Sequence, residues 1–287
     1  MPNAVRHIAK FGFGGAALPH NGSLALGGGA ASPLDMAQGY AVLANGGRAV
    51  KPYVIDAIYG PDGEALYRAE PAVACEECAP DDDPEPLFED EIVDEMTLEE
   101  MAEIAPDYRP DATADPELFA DVNLAPQAVS RQNVFLIQDM MRDVVKRGTG
   151  RRAMALGRQD LSGKTGTSNG QLDAWFSGYN DHLVASVWVG FDIHDPLGAQ
   201  EQGGRAALPI WIEFMRVALD GVPDVPPVMP DGLAQARIDP DTGLLVPPDR
   251  ADAIMEIFQA DHLPPMMDST SGDKEDATSE EDPYEIY

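Results

Sequence analysis

The chain reads as an α+β fold: an antiparallel sheet flanked by helices, with an acidic insert. Three observations predict it. Two nearly continuous apolar runs, residues 174–179 and 183–191, are separated by a short turn through Asn180-Asp181, as two paired strands would be. Apolar residues recur at helical spacing just before and after them, over 132–145 and 208–219. Residues 71–124 are rich in proline and acid and hold no sustained period.

The elements follow in order. Ala4, Val5, Ile8 and Phe11 mark the end of a helix over residues 3–11, which Phe11-Gly12-Phe13-Gly14-Gly15 stops. Residues 24–29 form a flexible loop. Ser32 then caps a helix, with Pro33 at its first position and Met36, Tyr40, Leu43 and Ala44 as its apolar stripe. Asn45-Gly46-Gly47 ends it. Residues 51–59 and 64–67 are expected as strands joined by Gly60-Pro61-Asp62-Gly63, a strong turn signal.

After the acidic stretch, order returns at Gln132. Phe135, Leu136, Met140, Val144 and Val145 lie on one helical stripe, closed by Gly148-Thr149-Gly150. The two apolar runs follow. Their mixed apolarity suggests inner strands covered on both faces, although an antiparallel sheet more often alternates. Trp211, Phe214, Met215 and Val217 belong to a last amphipathic helix over 208–219. A proline-rich linker follows Gly221. Then come an Asp239-Pro240-Asp241-Thr242-Gly243 turn, a helical patch over 253–258 and an acidic tail.

Composition narrows the function. In 287 residues, 50 Asp and Glu stand against 19 Lys and Arg, a formal charge of −31. Nucleic-acid binding needs clustered basic residues, so it is excluded. Docking on anionic lipid through a basic patch is excluded likewise. Most of the acidic excess lies in 76–121 and 268–287, so it belongs to appendages more than to the folded part. No apolar run approaches the ~20 residues that span a bilayer, and no secretory leader follows Met1. Cys75 and Cys78 read as a local disulfide or two free thiols. A redox pair or half a zinc site is the alternative, but a zinc site needs about four ligands and no His or Cys partner has suitable local spacing. The five histidines show no metal spacing, and no metal or cofactor is expected.

The chemistry concentrates at Gly163-Lys164-Thr165-Gly166-Thr167. A phosphate-binding loop is one reading. Gly157 stands one residue too far from Gly163 for it, and strand-like runs follow where a helix is needed. A dinucleotide fingerprint at Gly12-x-Gly14-x-x-Ala17 fails too, because it follows a helix rather than a strand. Acyl transfer is the other reading. Lys164 offers charge near a reacting centre, and Thr165 and Thr167 offer hydroxyls to a carboxylate. Gly166 lets a substrate backbone approach, and a strand N–H can face a developing oxyanion.

Several blocks extend that reading. They are the stretch from Leu24 to Gly47 and Asp143-Val144-Val145-Lys146-Arg147-Gly148-Thr149-Gly150-Arg151, then Gly163-Lys164-Thr165-Gly166-Thr167. Asp173-Ala174-Trp175-Phe176-Ser177-Gly178-Tyr179 follows, running into Val187-Trp188-Val189-Gly190-Phe191-Asp192. Gly203-Gly204-Arg205-Ala206-Ala207-Leu208-Pro209-Ile210-Trp211 is the last. In this order they resemble the transpeptidase domain of class A penicillin-binding proteins over residues 1–70 and 125–265.

The resemblance implies part of the penicillin-binding and serine β-lactamase-like fold. The parent would be a membrane-anchored, bifunctional peptidoglycan synthase. It polymerises glycan and crosslinks stem peptides through an acyl-serine at the periplasmic face of the inner membrane. Its partners would be stem peptides and β-lactams, with any membrane contact through an anchor absent from this chain. Lys164 and Thr167 carry over as catalytic residues. Thr165, Gly166 and Thr167 carry over as substrate-binding residues, and the Thr167 N–H as an oxyanion donor. Residues 1–70 are the first part of that domain, 71–124 an insert and 125–222 the Lys-Thr-Gly strand with the closing helix. Residues 223–265 are a linker and extension, and 266–287 a tail.

The chain departs from the family's pattern at the nucleophile. It holds no Ser-x-Asn, and its one Ser-x-x-Lys, Ser271-Gly272-Asp273-Lys274, lies in the acidic tail behind the Lys-Thr-Gly motif. The chain therefore resembles a C-terminal segment of the domain, one wall of a site whose serine lies elsewhere. A non-catalytic acidic binding module, or a truncated remnant of that domain, is the alternative. A complete β-lactamase or carboxypeptidase fails for want of the serine.

Overall fold

The computed structural model describes residues 2–14, 18–74, 123–193 and 195–267. The expectations for Cys75, Cys78 and Ser271–Lys274, and for most of the insert and tail, lie outside them. The chain divides into two compact units, residues 1–230 and 231–287.

The first unit is built on a three-stranded antiparallel meander: β3 (Ser162–Thr167), β4 (Asp173–Tyr179) and β5 (Val184–Gly190). The registers pair Lys164 with Ser177 and Phe176 with Val187. Because paired residues share a face and neighbours alternate, Thr165, Phe176 and Val187 look one way. Lys164, Ser177 and Ser186 look the other. The Asn180 carboxamide closes the turn between β4 and β5, its Oδ1 accepting from Leu183 N–H at 2.9 Å.

Helix α4 (Ala207–Ala218) covers the first face. Its Trp211 is fully buried, meets Phe176 edge-to-face at 5.0 Å, and donates its indole N–H to Ala185 O at 3.1 Å. Val145, Leu161, Leu208, Ile212 and Met215 complete this core. Helix α2 (Pro33–Ala44) lies against the opposite face, where Tyr40 meets Tyr179 edge-to-face at 6.1 Å. Burial pushes the Tyr40 hydroxyl up to about 12 and raises that of Tyr179 too, so both rings stay uncharged. The middle strand β4 is thus covered on both faces, as its continuous apolarity suggests.

Helix α3 (Arg131–Lys146) packs along β3. Gln138 ties three elements together. Its side chain donates to Leu43 O at 2.8 Å, and its carbonyl accepts from the Ser162 hydroxyl at 3.2 Å.

Ser32 caps α2 in a reciprocal box: Asp35 N–H donates to Ser32 Oγ, and Ser32 N–H to Asp35 Oδ2 at 2.8 Å. Helix α1 (Pro2–Ala9) ends two residues before the expected stop. The loop expected at 24–29 begins inside a 3₁₀ turn (Gly22–Leu26) capped by Asn21. The strand expected over 51–59 shrinks to β1 (Ala57–Tyr59), paired with β2 (Ala65–Arg68). Pro52 has no N–H for a ladder, which limits pairing there. The chain leaves and returns at adjacent points: Val73 N–H donates to Asn123 O, and Ala125 N–H to Val73 O, at 2.8 and 2.9 Å.

The second unit contains the hairpin of β6 (Leu233–Ile238) and β7 (Ile254–Gln259). Its second strand corrects the helix expected over 253–258. Ile254, Met255, Ile257 and Phe258 fit a helical spacing, but six residues are too few to hold a helix in water. A full register with β6 satisfies the same backbone groups. The Asp239 turn forms as expected. Asp239 Oδ1 accepts from the N–H groups of Asp241 and Thr242 at 3.0 and 2.8 Å, and Asp239 also pairs with Arg250.

Candidate active site

Strand β3 is an edge of the sheet among the described residues. Ser168 N–H donates to Asp173 O at 3.1 Å, continuing the ladder one step past Thr167. Antiparallel pairs alternate between bonded and non-bonded positions. Lys164 and Gly166 therefore turn their backbone groups toward β4, and Thr165 and Thr167 turn theirs outward. The Thr167 N–H is left facing away from the sheet, the orientation an oxyanion donor needs.

Thr165 and Thr167 share a face and line one cavity of about 530 Å³. Both hydroxyls are oriented. Thr165 Oγ1 lies 2.7 Å from Thr149 Oγ1, and Thr167 Oγ1 accepts from Gly203 N–H at 3.1 Å. A hydroxyl that accepts an N–H keeps its own proton to donate, so Thr167 is poised to give a hydrogen bond to a carboxylate.

Two glycine-rich connections build the rest of the cavity. Gly148-Thr149-Gly150 turns α3 into a 3₁₀ helix (Arg151–Leu156), which carries Arg152 to the rim. The connection into α4 supplies Gln202, Gly204 and Arg205. Gly203 is buried, and a Cβ there would lie 2.2 Å from Trp175 O and 2.5 Å from Gly166 O. Only glycine lets this loop lie on the β3–β4 backbone and reach Thr167.

Of the four residues that the sequence singles out, the structure brings Thr165 and Thr167 together, with Gly166 between them. Lys164 stands on the opposite face of β3. Its exposed ammonium donates to Thr165 O at 3.0 Å, along the outward edge. It does not line the cavity. Sequence reasoning gave no role to Thr149, Arg152, Gln202 or Arg205. Their signal was present as Gly-Thr-Gly and Gly-Gly, the marks of close backbone approach.

Among the described residues, no group of three His, Cys, Asp or Glu side chains could hold a metal. Nor is any helix among them long and apolar enough to cross a membrane.

Residues 15–216 match the family model of the penicillin-binding protein transpeptidase domain. Penicillin-binding protein 1A of Pseudomonas aeruginosa is 40% identical over 266 residues, 92% of this chain and 32% of the relative. That of Vibrio cholerae is 36% identical over 280 residues, 88% of this chain and 30% of the relative. The crystal structure of penicillin-binding protein 1A from Haemophilus influenzae superposes with a TM-score of 0.72 at 30% identity. The match covers 91% of this chain and 36% of that one. The chain thus spans about a third of the length of the curated relatives it matches. With its antiparallel sheet between helices and its Lys-Thr-Gly edge strand, the chain belongs to the penicillin-binding protein transpeptidase family.

Proposed function

We propose that this chain forms the Lys-Thr-Gly wall of a penicillin-sensitive D-Ala-D-Ala transpeptidase site in a bifunctional, 1A-type peptidoglycan synthase working at the periplasmic face of the inner membrane. One observation carries the reading. An edge strand presents two oriented hydroxyls and an outward N–H beside a cavity with arginines on its rim.

The chemistry follows from those groups. The terminal carboxylate of a stem peptide accepts hydrogen bonds from Thr165 and Thr167, which lays its last peptide bond along β3. A serine attacks that carbonyl, and no residue of this chain is assigned as that serine. The Thr167 N–H stabilises the oxyanion, an interaction that strengthens as charge develops. The C–N bond breaks and the terminal residue leaves as the free amine, having gained a proton. The amine of a second stem peptide then attacks the acyl-serine, forming the crosslink and regenerating the hydroxyl. Lys164, on the same edge, contributes positive charge and proton handling. A β-lactam, with its carboxylate and strained amide, would occupy the same positions and stop at the acyl-serine.

The ends of the acidic stretch, clamped at Val73 and Asn123, support reading residues 71–124 as an insert between two parts of one domain.

The test is a crosslinking assay with the natural, full-length protein on lipid-linked disaccharide peptide. Penicillin-sensitive crosslinked product is expected, and Lys164→Ala should lower it while glycan polymerisation continues. Crosslinking that is insensitive to penicillin, or unchanged in Lys164→Ala, would defeat the proposal.

A further inference from the structure

We infer that Trp175 is a specificity-determining residue: its indole meets the substituent beside the scissile carbonyl of the acyl donor and selects a methyl group there over a hydrogen. The inference rests on the transpeptidase reading and deepens it.

The face of β3 opposite the Thr165–Thr167 cavity carries it. Gly166, Trp175 and Trp188 are paired in register across the three strands, so all three look to that face. Of the three tryptophans in the chain, Trp211 fills the core. The other two stand together here, with ring centroids 6.3 Å apart. Trp188 is held in place. Its indole N–H donates to Asp173 Oδ1 at 2.9 Å, and its ring lies so close to Gly190 that a Cβ there would meet it at 2.3 Å. Trp175, on the middle strand, stands between that ring and the edge strand.

Gly166 keeps an ordinary strand conformation, so what it supplies is space rather than a turn. A Cβ at position 166 would lie 3.1, 3.7 and 3.9 Å from Trp175 Cβ, Cγ and Cδ1. A side chain there would screen the indole from the edge. Glycine leaves the Cδ1 side of the ring open toward the line along which the donor crosses. Both indoles are half-buried. The Tyr40–Tyr179 contact that seats α2 lies four residues, about 13 Å, further along β4.

On the other face the donor's carboxylate takes the Thr165 and Thr167 hydroxyls, and its scissile carbonyl meets the outward Thr167 N–H. Neighbouring groups along an extended chain turn to opposite faces, so the substituent beside that carbonyl turns toward Gly166. A methyl there buries against the indole, and a hydrogen leaves the same apolar edge in water.

The test uses the full-length natural protein and two thioester acyl donors, N-benzoyl-D-alanyl-thioglycolate and N-benzoylglycyl-thioglycolate, which differ only in that methyl. Thiol release gives kcat/KM for each. The wild type should prefer the alanyl donor roughly tenfold, the lower end for one methyl in an apolar site. Trp175→Ala should bring the two donors within about twofold of each other by slowing the alanyl one, and Trp175→Phe should keep part of the preference. Trp188→Phe removes the bond to Asp173 and leaves Trp175 in place, so it should lower the urea midpoint and keep the preference. Equal use of the two donors by the wild type, or a full preference in Trp175→Ala, would overturn the role and leave the transpeptidase reading intact. So would a loss in Trp188→Phe as large as in Trp175→Ala, which marks a packing effect, or turnover of neither thioester by a protein that penicillin labels. If Trp175→Ala does not fold, the series Trp175→Phe and Trp175→Leu decides, and an unchanged preference across it overturns the role. A wild type that neither turns over a thioester nor is labelled by penicillin would overturn both readings together.

Discussion

Thr149 and Thr165 stand 16 residues apart in the chain, and their side-chain oxygens lie 2.7 Å from each other. Thr149 lies in the Gly-Thr-Gly turn after α3, and Thr165 is the first threonine of the edge strand. The bond makes the turn a brace for the hydroxyl on the strand. On the proposed reading Thr149 positions Thr165, and it lines the same cavity itself. Thr149→Val keeps the shape and removes the brace. It should slow acylation by penicillin about three- to tenfold, the worth of one neutral hydrogen bond. Thr149→Ser should retain most of the rate. Stopped-flow acylation of both variants checks this, and equal rates for Val and Ser would rule out the brace.

Gly203→Ala tests the loop that orients Thr167. The added methyl would meet two backbone oxygens, Trp175 O and Gly166 O, neither of which can rotate away. A loss of about 1–3 kcal/mol is expected, in the range for overpacking, with slower acylation because the bond to Thr167 stretches. Gly22→Ala, where a Cβ meets open space, should change stability by less than about 0.5 kcal/mol. Urea midpoints of the two variants give the comparison.

An ion pair between buried Asp160 and half-buried Arg158 secures the start of β3. Asp160 accepts from the Arg158 Nε–H at 2.9 Å and from Asn180 Nδ2 at 3.0 Å. Asp224 accepts from the backbone N–H groups of Gln159 and Asp160 at 3.1 Å. Burial pushes the Asp160 carboxyl up, but the bonds from Arg158 and Asn180 and the guanidinium charge together hold it below its ordinary 3.8. A carboxyl held low in the folded state stabilises the fold fully above its unfolded value, and that stability is lost as pH falls through the folded one. Asp160→Ala should cost about 1–3 kcal/mol at neutral pH, because it takes an acceptor from Asn180 and Arg158, while Arg158 keeps the carbonyls of Val222 and Pro223. Below about pH 4 the wild type should lose stability more steeply than the variant. Urea unfolding between pH 2 and pH 7 reads both effects, and parallel pH profiles would show that Asp160 does not carry them.

The meander and the helices around it were legible because each rests on local signals. Asn180 and Asp181 mark a turn between two apolar runs, Ser32 and Pro33 mark a helix start, and Trp211 and Met215 recur at helical spacing, although Phe214 and Val217, read with them, are exposed. The Thr165 and Thr167 hydroxyls were legible because strand alternation alone puts them on one side. Lys164, placed by the same alternation on the other face, reaches the edge only through its long side chain. The Gly203–Thr167 bond spans 36 residues and depends on how a loop lands on a sheet, which no local pattern encodes. Arg152 and Arg205 come to one cavity for the same reason. The helix expected over 253–258 failed because its apolar spacing is shared by a short strand, and pairing with β6 decided the outcome.

The most direct measurement is the rate at which a fluorescent penicillin acylates the full-length natural protein, in the wild type and in Thr167→Ala. Wild-type protein should carry one covalent label, released with the acyl-serine ester. Loss of the Thr167 hydroxyl should slow labelling roughly tenfold or more, as for a hydrogen bond to a charged group. An unlabelled wild type, or a Thr167→Ala variant labelled at the wild-type rate, would contradict the placement of the substrate carboxylate on this strand.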